Sequence, residues 1–337
     1  MQAHHLVLGR SNLNLVNLGR GKQSMQASGL SSDRVIRNHV FLFQGQGMPA
    51  VGMGAEVRGV SPRSEAVWDC ASDISGIDVR KLCQKGPMSR LTQTRYQQLA
   101  VTTVSVAMFE KLQESVHIEN AVFAGHSAGE YAALYAAGAF DLETLFRSIV
   151  IRATLMQEMA ENSDGAMYVI KSIDRATLQR YIDAQTWHGP VQIANDNSPS
   201  QQVLSGNTDD VRALATQLQR DGYGTLKLPV NGAWHSDLMM PVRIRLYEAL
   251  KVLPIQVPAR PIYMNLTAAP VDEVGQIVDN LSDHLTQTVR WRETMEAVFR
   301  EGYSEFVEMS TRKVMGGMLA HYEMGDQMKV SCFPDWC

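Results

Sequence analysis

Hydrophobic positions along this chain alternate between short continuous runs and the wider spacing of amphipathic helices. Apolar runs at residues 40–43, 120–124, 262–265 and 305–309 predict buried strands, and helical patterns lie between them. Strands that alternate with helices are typical of a parallel sheet with helices on both faces. The pattern therefore predicts an α/β fold.

The pattern changes between residues 166 and 228. Strand, helix, two strand-like runs, helix and strand follow one another there, an order typical of a small ferredoxin-like module. We expect this module to be an insertion in the α/β core. The predicted organisation is a flexible leader (1–38), a core in two segments (39–164 and 229–325), an inserted ferredoxin-like subdomain (165–228) and a C-terminal tail (326–337).

The first 38 residues differ from the rest in composition. They contain five Lys and Arg residues, a single acid, Asp33, and many Ser, Asn and Gly residues. An arginine-rich and acid-poor leader is typical of an organelle transit peptide. The other interpretation is a flexible tail or an over-extended start, with Met25 as the true first residue.

Composition limits the classes of partner and site. With 337 residues, 45% of them hydrophobic, the chain can bury a large core, and a net charge of -4 gives no reason to expect nucleic acid as a partner. The four cysteines are scattered and match no metal-binding or disulfide pattern, so no metal is expected. No apolar stretch in the sequence is long enough to span a bilayer. We therefore expect no membrane partner and a cytoplasmic location, or an organellar one if the leader is a transit peptide.

The most informative motif is Gly-His-Ser-Ala-Gly at residues 125–129. It follows a predicted strand and precedes a helical pattern, which is the context of a nucleophile elbow. In that geometry Ser127 lies exposed on a tight turn between glycines that let the backbone bend. The following helix directs its N–H groups and positive dipole end to the same point, which suits a developing oxyanion. Ser127 is therefore the candidate nucleophile.

A serine nucleophile needs a base, and His235 is the best-placed histidine for that role. It lies between a strand-like run and the start of a helix, where α/β sheets assemble their sites. The alternative is a histidine that only satisfies a loop carbonyl. His126 adjoins the nucleophile, but adjacent residues on an elbow point in different directions, so we expect a positioning or packing role for it.

Arg152 is the candidate for substrate selection. It lies at the edge of the apolar stripe of a helix predicted to begin at Asp141, and its neighbours three and four positions away include no acid. Such an arginine either extends to solvent or meets a carboxylate from elsewhere. If that carboxylate belongs to the substrate, a bidentate pair would select an acyl group with a free acid end. Both interpretations are open on the sequence alone.

Six motifs occur in order between residues 40 and 321. They are Phe-Gln-Gly-Gln-Gly at 43–47, Gly-His-Ser-Ala-Gly-Glu at 125–130, Val-Ile-Arg-Ala-Thr-Leu-Met-Gln at 150–157, Gly-Ala-Met at 165–167, Asn-Asp-Asn-Ser-Pro at 195–199 and Gly-Ala-Trp-His at 232–235. Together they resemble the malonyl-CoA:acyl carrier protein acyltransferases (transacylases) of fatty acid and polyketide synthesis. The resemblance implies a hydrolase-like core, with a parallel sheet flanked by helices, and an inserted small ferredoxin-like α+β subdomain.

The resemblance also implies a role for each residue that matches a motif. Ser127 would form the acyl-enzyme, His235 would act as general base and then as acid, and Arg152 would hold the malonyl carboxylate. The other implied positions are backbone N–H groups of Gln46 and Ala128 at the oxyanion, Gln98 near the acyl pocket, His126 beside the nucleophile, and Asn197 at the subdomain edge of the cleft.

The chain departs from the family pattern at three places. His284 stands where the family often has Gln, at a position whose backbone carbonyl orients the catalytic histidine. Because the backbone carbonyl orients the histidine, we expect the change of side chain to have little effect on activity. Gln44 replaces the usual Pro of the first motif. Ser-Thr-Arg at 310–312 replaces Gly-Pro-Gly after the last core strand, and this second departure indicates a specialised branch.

Trp234, directly before the histidine, is similar to the aromatic residue of malonyl-selective members, in which a bulky ring limits substitution at the α-carbon. Malonyl is therefore expected to be preferred over methylmalonyl. One methyl group is worth only about 1 to 3 kcal/mol in a pocket, so the preference need not be absolute.

The implied reaction is a ping-pong transfer of malonyl from malonyl-CoA, through Ser127, to the phosphopantetheine thiol of an acyl carrier protein, in fatty acid or trans-acting polyketide synthesis. No cofactor is expected, and the protein is expected to be a monomer. Two alternatives use the same Ser/His pair: an acyl-thioester hydrolase, and the malonyl-transferring subunit of a malonate decarboxylase. A docking subunit with an inactive site is disfavoured because Ser127, His235 and Arg152 are all present.

Overall fold

The computed structural model describes residues 34–47, 49–230 and 232–337, in which strands and helices alternate. The strands are β1 (Val35–Arg37), β2 (His39–Phe43), β3 (His117–Glu119), β4 (Val122–Gly125), β5 (Gly165–Lys171), β6 (Val191–Ser198), β7 (Gln201–Asn207), β8 (Gly224–Lys227), β9 (Ile262–Met264), β10 (Ala269–Pro270), β11 (Glu305–Glu308) and β12 (Lys329–Cys332). The helices are α1 (Pro62–Ser75), α2 (Val79–Lys85), α3 (Met88–Leu91), α4 (Thr94–Ser115), α5 (Gly129–Ala136), α6 (Leu142–Asn162), α7 (Arg175–Asp183), α8 (Thr208–Arg220), α9 (Met240–Leu250), α10 (Val274–Asp283), α11 (Trp291–Arg300) and α12 (Gly316–Leu319). Within these residues, no helix is both long and apolar enough to cross a membrane.

The central sheet has six strands in the order β10-β9-β4-β2-β11-β12. Its neighbours are parallel except for β10 with β9. Along β2, Phe41 and Phe43 pack into one hydrophobic cluster, whereas Val40 and Leu42 pack into a second. Because side chains alternate between the two faces of a strand, both faces of the sheet are covered, as a parallel sheet requires. The predicted α/β class is confirmed.

A second sheet lies between residues 165 and 227. Its strand order is β6-β7-β5-β8, and every pair is antiparallel. Helices α7 and α8 bury apolar residues such as Leu178 and Leu214 against this sheet, in a cluster separate from those of the central sheet. Four antiparallel strands in this order with two helices are the ferredoxin-like arrangement.

Two predicted boundaries differ from the structure. Residues 1–33 of the predicted leader lie outside the described residues, but β1, within the same predicted segment, pairs in parallel with β3 and buries Ile36. The predicted tail contributes β12 to the edge of the central sheet and buries Phe333. Both strands have only three or four residues, which is too short for a hydrophobic period to show in the sequence.

Asp196 of β6 connects the ferredoxin-like module to the core. Its fully buried carboxylate accepts hydrogen bonds from Arg292 of α11, with N···O distances of 3.0 to 3.2 Å, and from Gln202 at 3.0 Å. Its backbone N–H donates to the carbonyl oxygen of Val289 at 3.0 Å. The module is therefore attached by backbone pairing and by a charge pair whose acidic member has no contact with water.

We expect Arg292→Ala to lower the free energy of unfolding by about 3 to 5 kcal/mol, because it leaves the buried carboxylate without its main cation. Asp196→Asn in the Arg292→Ala background should recover part of that loss, since it removes the buried charge. Urea unfolding followed by circular dichroism measures both changes. Arg300→Ala, at an exposed position of the same helix, is the control, and an equal effect of the two arginine substitutions would contradict the assignment.

Candidate active site

The turn that carries Ser127 connects β4 to α5. Ser127 has a φ of 52°, a left-handed conformation that costs a residue with a side chain about 1 to 3 kcal/mol. The flanking glycines allow the close packing that holds this turn. A Cβ on Gly129 would lie 2.0 Å from the carbonyl oxygen of Phe43, and a Cβ on Gly125 would lie 2.1 Å from the backbone of Gly129. The elbow therefore depends on glycine for space against β2 as well as for backbone freedom.

Ser127 and His235 form a hydrogen-bonded pair. The Ser127 Oγ lies 2.9 Å from His235 Nε2, and His235 Nδ1 lies 2.7 Å from the backbone carbonyl oxygen of His284. A carbonyl oxygen only accepts hydrogen bonds, so Nδ1 carries the proton and Nε2 presents its lone pair to the serine hydroxyl. The main chain thus holds the imidazole in the tautomer that a general base needs. A backbone carbonyl, not a carboxylate, orients the ring.

His235 lies in the interior of the site, and its φ of 59° is also left-handed. Burial, the adjacent His284 and the positive charge of Arg152 lower the pKa of His235 well below its ordinary value, against a smaller opposing effect of its backbone hydrogen bond. The ring is therefore neutral near neutral pH and able to take a proton from the serine.

Arg152 reaches the site from α6, whose first turn is capped by Asp141 through a 2.7 Å bond from the backbone N–H of Thr144. Its side chain is fully buried, so the interpretation that it extends to solvent is wrong. Nη1 donates to Gln98 Oε1 at 2.6 Å and Nη2 donates to Ser127 Oγ at 3.1 Å. Burial lowers the pKa of Arg152, but a guanidinium stays charged in proteins.

The partners of Arg152 within the described residues are neutral. Its Nε has no hydrogen-bond partner there, and no ion pair of the described residues includes its guanidinium. The ring of Tyr131 lies 5.7 Å from its Cζ, which gives a cation–π contact. A permanent positive charge therefore faces the nucleophile, and no carboxylate of the described residues contacts it directly, although the buried Glu130 carboxyl acts on it through space.

The first glycine-rich turn lies against the elbow. Gln98 Nε2 donates to Gln46 Oε1 at 3.2 Å, which links this turn to Arg152. A Cβ on Gly45 would lie 2.3 Å from the carbonyl oxygen of His126 and 3.5 Å from the amide nitrogen of Ala128. The backbone N–H groups of Gln46 and Ala128 have no backbone acceptor in the described part of the chain. Both are free to donate to a ligand.

The site opens into a cavity of about 80 Å³ between the core and the ferredoxin-like module. This volume is far below the roughly 300 to 1,000 Å³ of pockets for drug-sized ligands, and it suits a small acyl group. Seven predicted residues line it: Gln46, Gln98, His126, Ser127, Arg152, Trp234 and His235.

The structure places Asn197 behind the cavity. Its Oδ1 accepts a 2.9 Å hydrogen bond from His126 Nε2, and Tyr322 donates to its backbone carbonyl at 2.8 Å. Asn197 therefore connects the module to the elbow through His126, while Asn195 of the same strand lines the cavity.

Sequence reasoning missed several residues around the nucleophile. Met156, Met167 and Asn195 line the cavity, and only their places within or beside the six motifs pointed to them. Asn265 holds the elbow, since its Oδ1 accepts from the Ser127 N–H at 2.7 Å and its Nδ2 donates to the Gly125 carbonyl at 2.6 Å. No local pattern marks Asn265, because its contacts are far away in sequence. Among the described residues, no group of three or more His, Cys, Asp and Glu side chains could hold a metal ion.

Comparison with known proteins decides the family. Residues 40–323 match the model of the acyl transferase domain. The chain belongs to this family. A malonyl CoA-acyl carrier protein transacylase of Bacillus subtilis (strain 168) is 34% identical to this acyltransferase over 282 residues, which cover 83% of this chain and 88% of the relative.

Solved structures agree with this assignment. The malonyl CoA-acyl carrier protein transacylase of Coxiella burnetii has a TM-score of 0.83 and 30% identity, covering 88% of this chain and 93% of its own. A complex of a malonyl-transacylase with a type II PKS acyl-carrier protein has a TM-score of 0.82 and 29% identity, covering 89% of this chain and 95% of the matched one. The predicted family and the acyltransferase class are confirmed.

We expect Gly45→Ala to lower the kcat of this acyltransferase by about 10-fold or more, because displacement of a positioned group by about 1 Å can cost 100-fold. The new Cβ would push the Gln46 turn away from the elbow. Gly47→Ala is the matched control in the same turn, since a Cβ there meets nothing within 4 Å. Steady-state transfer assays compare the two variants, and equal activities would show that the close contact at Gly45 is not needed.

Proposed function

We propose that this acyltransferase moves malonyl groups from malonyl-CoA to the phosphopantetheine thiol of an acyl carrier protein. The proposal rests on Arg152, a fully buried cation whose hydrogen-bond partners are neutral and whose Nη2 lies 3.1 Å from Ser127 Oγ. Buried charges in proteins are normally paired. The free carboxylate of a malonyl group would supply the missing anion while its thioester carbonyl faces the serine.

Acylation of the enzyme follows from the geometry of the pair. His235 Nε2 takes the proton of Ser127 as Oγ attacks the thioester carbonyl carbon. The backbone N–H groups of Gln46 and Ala128 donate to the developing oxyanion. When the tetrahedral intermediate collapses, the C–S bond breaks and the CoA sulfur takes the proton from His235 Nε2. Malonyl remains bound to Ser127 as an ester.

Transfer to the carrier uses the same groups in reverse. The phosphopantetheine thiol gives its proton to His235 Nε2 and attacks the ester carbonyl, and Ser127 Oγ leaves with that proton. Each step is a proton transfer or an acyl exchange, so the proposed reaction needs no cofactor. A relative in this family is solved in complex with a type II PKS acyl-carrier protein, which supports a carrier protein as the acceptor. All the site residues named come from one chain, which is compatible with action as a monomer.

Trp234 supports malonyl as the acyl group. Its ring is nearly fully buried and lines the small cavity beside Arg152. A substituent on the α-carbon would have to fit against this ring. We therefore propose that malonyl is preferred over methylmalonyl, by the modest factor of about 10 to 200 that one methyl group allows.

Mass spectrometry after incubation with malonyl-CoA tests the acyl-enzyme. We expect a malonyl adduct on Ser127 in the wild-type protein and none in Ser127→Ala. The adduct should disappear on addition of a holo acyl carrier protein, with malonyl appearing on the carrier. Release of free malonate without a carrier, at the same rate as with one, would favour the hydrolase alternative.

Arg152→Ala tests the carboxylate partner. We expect malonyl transfer to fall by about 30-fold or more, because truncating one member of a buried charge pair costs about 2 to 5 kcal/mol. Acetyl transfer, which needs no carboxylate partner, should stay the same or rise. Arg147→Ala is the matched control, since Arg147 lies on the same helix but is exposed and paired with Glu143. Equal losses for malonyl and acetyl in Arg152→Ala would refute the carboxylate contact.

A further inference from the structure

A carboxyl group and an imidazole meet in the interior behind the catalytic pair. Glu130 Oε2 lies 2.5 Å from His284 Nδ1, and both side chains are fully buried. Neither atom forms a well-aligned hydrogen bond in the described part of the chain, and the 2.5 Å approach is the recorded polar contact of both. Two lone pairs at this distance would repel each other, so the contact requires a proton on one of the two atoms.

The surroundings of this contact favour a neutral form. Burial raises the pKa of Glu130 to about 8, against smaller opposing effects of the Asn265 N–H, Arg152 and His126. Burial, followed by the positive charge of Arg152, lowers the pKa of His284 well below its ordinary value. A carboxylic acid that donates to a neutral imidazole agrees with the direction of both pKa shifts and leaves no net charge on the pair. The other titratable groups that face it are His126 on the elbow, Tyr131 on α5, His235 before α9 and Asp283 at the end of α10.

Each member of the contact is connected to one half of the catalytic pair. Glu130 Oε1 accepts from the Asn265 N–H at 2.6 Å, and Asn265 Oδ1 accepts from the Ser127 N–H at 2.7 Å. On the other side, the carbonyl oxygen of His284 accepts from His235 Nδ1–H at 2.7 Å. The shared proton therefore closes a chain of contacts that runs from the serine backbone to the histidine ring.

We propose that Glu130 and His284 are a proton-sharing pair of positioning residues that fixes Ser127 relative to His235. The inference builds on the proposed function but concerns the geometry of the nucleophile, whichever acyl group it takes. Glu130 holds the elbow through Asn265, His284 holds the imidazole through its carbonyl, and the shared proton holds the two together. Ionisation of Glu130 would place a charge in the apolar interior and weaken the link. The link is therefore complete below a pH of about 8 and is lost as the pH rises through that value.

The pH dependence of acylation in Glu130→Gln tests the proton. The amide keeps an oxygen for the Asn265 N–H and donates an N–H to His284 Nδ1, so it preserves the geometry without a titratable group. We expect the single-turnover rate of malonyl-Ser127 formation in wild type to fall as the pH rises through about 8. Glu130→Gln should lack this fall and stay within about 3-fold of wild type at neutral pH, with unchanged KM.

Glu308→Gln is the matched control for that profile. Glu308 is another buried carboxyl group with a raised pKa, but its oxygens accept from the backbone N–H groups of Val314, Met315 and Gly316, away from the catalytic pair. The control should keep the wild-type pH profile. An alkaline fall that persists in Glu130→Gln, or that disappears in Glu308→Gln, would overturn the proposal.

Substitution of His284 tests the link itself. His284→Leu keeps the backbone carbonyl but removes the partner of the proton, and we expect the acylation rate to fall by about 10- to 100-fold, with unchanged KM. His284→Gln should restore the rate, because its amide oxygen can accept the proton of Glu130. Wild-type rates in His284→Leu would overturn the proposal. If thermal melting shows that His284→Leu does not fold, the pH profile of acylation in Glu130→Gln decides whether the proposal holds.

Sulfonylation of Ser127 by phenylmethylsulfonyl fluoride separates this inference from the proposed function. The reagent reports the reactivity of the serine without needing a malonyl group. Suppose that the wild-type protein takes no malonyl group, but the substitutions at Glu130 and His284 change the rate of sulfonylation. That result would refute the malonyl proposal and support the pair. Normal malonylation with no variant effect on either reaction would refute the pair alone.

Discussion

Three separately built segments converge on one oxygen atom, the Ser127 hydroxyl, and the rest of the site depends on that convergence. The elbow presents the oxygen, His235 accepts its proton at 2.9 Å, and Arg152 donates to it at 3.1 Å. Because the arginine donates to the same oxygen that must attack, a ligand that draws the guanidinium away would free the nucleophile. A substrate carboxylate would do so, which couples recognition of the acyl group to activation of the serine.

The same burial sets the charge of every titratable group around this oxygen. Burial moves the pKa of His235 down and that of Glu130 up, and both shifts favour the neutral form. Arg152 is also buried, but its guanidinium keeps its proton despite the effect of burial. The groups around this oxygen are therefore neutral apart from Arg152, so the charge of an acyl group affects how well it fits. This is a strong form of selection, since an unpaired buried charge costs more than a misplaced methyl group.

The elbow and the base could be predicted from the sequence because their signals are local. The glycines around Ser127, the strand before it and the helix after it lie within about fifteen residues. Arg152 could be placed on its helix, but its exposure could not be decided, because that depends on which elements cover the helix. The carbonyl of His284 was expected to matter and its side chain was not, since the contact with Glu130 joins residues that are far apart in the sequence. The short strands β1 and β12 were missed because their positions follow from their partners in the sheet rather than from a pattern of their own.

Strand β6 connects the stability of the module to the shape of the acyl cavity. Three consecutive residues of β6 have different roles. Asn195 lines the cavity, Asp196 pairs with Arg292 of the core, and Asn197 accepts a hydrogen bond from His126. Since the buried Asp196 needs its cation, the strand cannot shift without breaking that pair, and so the wall formed by Asn195 keeps its place. In a cavity of about 80 Å³, a small movement of one wall changes the fraction of space left for an acyl chain. The anchoring of the module therefore holds in place one part of the cavity wall against which the acyl group must fit.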